Sequence, residues 1–229
     1  WTIGESDARF NQRETQILGI DALLQKKFFS KTVGRDMLVG MAFGVVVFAV
    51  AILFIAISHQ LLGTWQGIVG VSVSESLLPL SPFWQLASVI SGNLIIRLLL
   101  FEWLLKKVKR KWLVIVATGL VSALYQYLPP LYPFWGTFVG GLIIGIVLSA
   151  FYVERGLLAV IVADFVYRFL FATIPFLLAP SVEFWGAGVV NVSVMIAVGI
   201  FAAAALQRGE EFSFKGSALP SHVQYISQR

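Results

Sequence analysis

Cysteine does not occur among the 229 residues, and histidine occurs only twice. Without a thiol there is no disulfide framework, no nucleophilic cysteine and no cysteine-based metal site, and the redox compartment is left open. Charge is also scarce: 13% of residues are Asp, Glu, Lys or Arg against 58% hydrophobic, with mean hydropathy +0.85. That balance excludes an ordinary soluble domain. The formal charge is +5, but the cations fall in short runs between apolar stretches. They therefore read as flanks of membrane spans and contacts to anionic headgroups, not as a nucleic-acid surface. Glycine-rich phosphate loops closed by Lys and Ser or Thr are missing too.

Long apolar sequence is what the chain has in quantity. Crossing a bilayer takes roughly 20 apolar helical residues, and six segments meet or approach that length: Met37 to Ser58, Phe83 to Leu105, Trp112 to Leu128, Phe134 to Val153, Leu157 to Ala179 and Gly186 to Gln207. The third is short because Pro129 and Pro130 end it. The predicted fold class is an all-α polytopic transmembrane bundle of about six spans. Orientation follows from the cations. Apart from Arg97 and Arg168, every Lys and Arg lies before the first span or after the second, fourth or sixth, and the three alternate loops carry none. Loop cations resist translocation, so both termini are expected on the cytoplasmic side of a bacterial plasma membrane.

Residues 1–35 form a cytoplasmic lead-in, 36–207 the six-span domain and 208–229 a polar tail rich in Gly and Ser, expected to be disordered. Within the lead-in, Ile17, Ile20, Leu24 and Phe28 recur at helical spacing beside Gln25, Lys26 and Lys27. That pattern suits an amphipathic helix over Glu14 to Phe29 in the membrane interface, or a lead-in helix packed on the bundle. The sequence opens on Trp1, which suggests a processed product or a piece of a longer protein.

Ionised groups inside hydrocarbon cost at least ~2.5 to 3.5 kcal/mol, so they face the bundle interior and pair. At 1.5 Å per residue, Arg97 and Asp164 both lie ~12 to 13 Å in from the cytoplasmic end, so an Arg97/Asp164 ion pair is expected. Asn93, Gln126 and Arg168 share a depth of ~18 to 21 Å, which defines a polar layer. Glu102 is placed nearer the cytoplasm, paired with Lys106 four residues on. Each of these also has a purely structural reading, because buried pairs and amide bonds commonly fix helix packing. Gly40, Gly44, Gly136, Gly140, Gly141 and Gly145 read first as close helix contacts. A catalytic zinc needs about three converging protein ligands. The spans hold no histidine, with His59 at the outer end of the first and His222 in the tail, and Asp164 is the one carboxylate expected at depth. No metal or cofactor is expected, and a serine nucleophile would lack its base.

From the second to the fifth span, roughly residues 84 to 175, the order of features resembles the CPBP intramembrane proteases, also called the CAAX-protease or Abi family. That family carries Glu-Glu-x-x-x-Arg on one span, Phe-x-x-x-His on the next and His-x-x-x-Asn or Asp on a later one. The first motif falls on Gly92-Asn93-Leu94-Ile95-Ile96-Arg97 and the second on Ser122 to Gln126. The third falls on Asp164 to Arg168, after the stretch GGLIIGIVLSAFYVERGLLAVIVADFVYR. Only Arg97 is retained. Gly92 and Asn93 stand for the glutamates, Ser122 for the phenylalanine, Gln126 and Asp164 for the histidines, and Arg168 for the final Asn or Asp. The resemblance implies a water-activating glutamate, and this sequence lacks that chemistry. The expected function is a catalytically inactive CAAX-protease-like protein that binds or scaffolds membrane partners, with Gly92, Asn93, Arg97, Ser122, Gln126, Asp164 and Arg168 as a vestigial site. The alternatives are an active endopeptidase with a non-standard site and a small-molecule or ion transporter. Expected partners are the lipid bilayer and either a membrane protein or further domains of a longer chain; no nucleic acid is expected.

Overall fold

The computed structural model describes residues 16–66, 81–125, 131–178 and 182–211. Gln126 and residues 212–229 of the polar tail lie outside the described residues, as does the start of the lead-in. A short helix, α1 (Leu18–Leu24), leads into the long α2 (Lys31–Leu62), which starts where the Ser30 side chain accepts from Val33 N–H and ends at Gly63 in the left-handed region. α3 (Ser81–Asn93) runs without a break through a π-helical segment, Leu94–Leu100, into α4 (Phe101–Val108). α5 (Lys111–Leu124), α6 (Trp135–Arg155), α7 (Leu157–Leu178) and α8 (Val182–Arg208) complete the bundle. A two-residue ladder pairs β1 (Trp65–Gln66) with β2 (Leu131–Tyr132).

Five helical stretches are long and apolar enough to cross a bilayer: Lys31–Leu62, Leu86–Val108, Trp135–Arg155, Leu157–Leu178 and Trp185–Arg208. Lys111–Leu124 is apolar but shorter, so the expected division into six segments is realised with the third as the short one. The molecule is a helical, multi-pass membrane bundle. Rows of Leu, Val and Ile on α2 and α8, such as Leu53 at 60% and Ile200 at 65% exposure, form an outer surface suited to lipid.

α7 is the central element, with buried residues on nearly every turn. It packs against α2 through glycine: a Cβ on Gly40 would lie 2.5 Å from the Ala159 carbonyl oxygen, and one on Gly44 2.7 Å from that of Ala163. Only a residue without a side chain allows that approach. Backbone contacts also tie the start of α2 to the residues just after α8 at one end of the bundle, where Lys31 N–H donates to Glu210 O at 3.0 Å and Ser30 bridges Glu210. The loops after α2 and α5 meet at the opposite end through the β1–β2 ladder.

α1 is shorter than the amphipathic periodicity suggests. The helix stops at Gln25, Lys26 turns left-handed at φ 60°, and Leu24 and Phe28 are exposed while Ile17 is buried. Its inner face packs Ala22 against Val33 and Leu158. Gln16 Nε2 donates to Val153 O at 3.0 Å, just above the Gly156 turn that joins α6 to α7. α1 is thus fastened to the bundle end by tertiary contacts.

Candidate functional site

Four of the residues expected at the site converge where α3 and the π segment meet α7. Asn93, the last residue of α3, is fully buried and donates from Nδ2 both to Val89 O at 2.7 Å and to Asp164 Oδ2 at 2.8 Å. Its Oδ1 accepts from an Arg97 Nη. Arg168 Nε donates to Asp164 Oδ1 at 3.0 Å, an ion pair within one turn of α7. Asp164 and Arg97 are fully buried, and the Arg168 side chain is 16% exposed. Where helix depth predicts an Arg97/Asp164 ion pair, Asp164 pairs with Arg168, and Asn93 bridges Arg97 to Asp164, its amide accepting from the cation and donating to the carboxylate. An amide suits that place because it is donor and acceptor at once.

The π segment puts Arg97 there. Five residues advance an α-helix by about 500°, which leaves Arg97 and Glu102 on different faces. In a π turn the i→i+5 bond brings such a pair towards one face, and the Phe101 N–H does donate to Ile96 O. Glu102 is correspondingly turned inward. It is fully buried, and Tyr152 Oη of α6 donates to its Oε1 at 2.7 Å. Asp164 is thus accompanied by a second buried carboxylate that depth counting along a regular α-helix did not reveal. The interruption of 3.6-residue periodicity over Leu94–Leu100 leaves no mark in an all-apolar run around one arginine.

The other motif positions behave differently. Gly92 is buried and brings no polar side chain. Ser122 is fully buried, but its hydroxyl donates to Thr118 O one turn back at 2.8 Å, and its Cβ faces Gly145 of α6. Ser122 therefore belongs to the tight α5–α6 seam, where Thr118 Oγ1 also donates to Ser149 Oγ at 3.1 Å. Gln126 lies outside the described residues.

Residues 74–170 match the family model described as Rce1-like, type II CAAX prenyl endopeptidase Rce1-like. Over these residues the chain is similar to that family. The match takes in the whole cluster of Asn93, Arg97, Asp164 and Arg168, and it agrees with the resemblance read from the motif spacing. Comparison with curated proteins and with solved structures found no match.

The chemistry open to the Rce1-like segment follows from its donors and acceptors. Arg97 and Arg168 offer hydrogen-bond donors only, and Asn93 offers a neutral amide. Asp164 is the one carboxylate of the cluster, and both its oxygens already accept charge-assisted or amide bonds. Among the described residues no three of His, Cys, Asp and Glu come together. The described residues of the cluster do not fit a metal.

Proposed function

We propose that this CAAX-protease-like membrane protein is catalytically inactive and binds or scaffolds a membrane partner. The observation that carries the reading is the bonding of Asn93. At the position where the family motif has a glutamate, this chain has an amide, and that amide is consumed by Val89, Asp164 and Arg97. A general base must reach a water with a free lone pair and an accessible proton affinity. The cluster is instead a set of hydrogen bonds joining α3 to α7, which keeps the frame of a protease and turns its centre into a brace. In this reading the bundle end that carries α1 and the end of α8 faces the cytoplasm, as the segregation of cations in the sequence favours.

The test uses purified full-length chain in liposomes, a prenylated peptide ending in a CAAX sequence, and mass spectrometry of the products. The expected result is intact peptide after prolonged incubation, with or without a chelator. Release of the terminal tripeptide at a rate that scales with protein would overturn the reading.

A further inference from the structure

The densest charge in the molecule lies outside the cluster, at the turn between α4 and α5. Residues 106 to 111 read Lys-Lys-Val-Lys-Arg-Lys, and from Glu102 to Glu154 the sequence has no acidic residue. Local geometry presses these cations together. α4 ends at Lys109 in the left-handed region, φ 57°, with its N–H donating to Leu105 O at 3.0 Å, and α5 begins at Lys111, so two residues make the whole connection. All five cations are exposed. Glu102, the acid nearest in sequence, is buried and bonded to Tyr152.

Aromatic and apolar groups flank the cations on the same turn. Trp103 is 45% and Trp112 61% exposed, Val108 is 40% exposed between them, and Lys107 Nζ stands 4.0 Å from the Trp103 ring centroid. Tryptophan at this level favours the headgroup boundary, where its ring is apolar and its N–H is wet. Lysine stems lie along apolar surface while their ammonium groups reach outward. A topology signal alone needs cations near a span end. It does not need them compressed into a two-residue turn between two exposed indoles.

We infer that the α4–α5 turn is a binding site for the phosphate headgroups of anionic bilayer phospholipids, with Lys106, Lys107, Lys109, Arg110 and Lys111 taking the phosphates and Trp103 and Trp112 seated at the acyl boundary. Charge complementarity selects this occupant. A polybasic cluster directly at the end of a span meets the phosphate plane of its own bilayer, and each such cation contributes about fivefold to partition towards a negatively charged surface.

The test reconstitutes the full chain in nanodiscs of phosphatidylcholine with a minor share of phosphatidylglycerol. Native mass spectrometry then reads the ratio of the two lipids retained on the released protein. The same lipids occupy both leaflets, so the readout depends neither on orientation nor on the absence of proteolysis. The wild-type chain should retain the anionic lipid about fivefold or more above its share in the disc. The triple variant Lys107→Gln, Lys109→Gln, Arg110→Gln should fall towards that share, while Lys26→Gln, Lys27→Gln at the same bundle end should behave as wild type. Because the triple variant could lose fold, the wild-type chain is also measured at rising ionic strength, where screening should remove the enrichment. Enrichment that survives both the substitutions and high salt, or a wild-type ratio equal to that of the disc, would overturn the proposal.

Discussion

At the scale of single residues, Asp164 and Asn191 make opposite predictions from the same physics. Asp164 is fully buried and accepts from Asn93 and Arg168. Asp164→Ala leaves a guanidinium and an amide inside the bundle without their acceptor, and breaking a buried pair of this kind costs about 3 to 5 kcal/mol. Reversible unfolding in mixed detergent should show that loss. Asn191 is also fully buried, but neither polar atom of its amide has a hydrogen-bond partner among the described residues. Asn191→Leu removes an unsatisfied polar group at nearly constant volume and should raise the unfolding midpoint, by on the order of 1 kcal/mol. A lower midpoint would show that the amide is bonded in the membrane. Much of the cluster was legible, because intramembrane cost and helix depth single out Asn93, Arg97, Asp164 and Arg168 before any coordinates are known. The bridging role of Asn93 and the inward turn of Glu102 were not. Both depend on helix phase, which the π segment shifts.

At the scale of elements, the spans were readable from apolar length, because hydrocarbon forces every backbone group to be satisfied within its own helix. Their ends moved by several residues. The first span continues to Lys31 and Leu62 because capping at Ser30 and Gly63, and not the apolar stretch, sets its limits. The lead-in helix contracted to Leu18–Leu24, since its apolar residues could not all face one neighbour once Lys26 turned left-handed. The glycine expectations held for α2 against α7 and for Gly145 against Ser122, while Gly136 rests in ordinary contact with Leu131 of β2. A substitution pair tests this packing. Gly40→Ala would place a methyl 2.5 Å from the Ala159 carbonyl and should sharply lower the yield of monodisperse protein. Gly186→Ala, with nothing within 4 Å, should match wild type or exceed it slightly through helix propensity.

At the scale of the whole molecule, the bundle brings α1 and the end of α8 to one face together with the turns at Lys106 to Lys111 and Arg155. The segregation of loop cations anticipated this arrangement. Topology is directly measurable because the chain has no cysteine of its own. Single substitutions Lys27→Cys and Lys109→Cys should be blocked by an impermeant thiol reagent only in inverted vesicles, and Leu62→Cys only in intact cells. The opposite labelling would reverse the assignment of sides. What neither composition nor spacing could supply is how the protease-like frame is occupied, because replacing glutamate by Asn93 tells what chemistry is lost and not what bonds form instead. The central claim is that Asp164 holds the Rce1-like frame together and does not turn over substrate. Its most direct measurement reads unfolding midpoint and prenylated-peptide cleavage side by side for the wild-type chain and Asp164→Ala. A lowered midpoint with cleavage at the protein-free background in both proteins is the predicted result; wild-type cleavage that vanishes in the variant while the midpoint stays unchanged would contradict it.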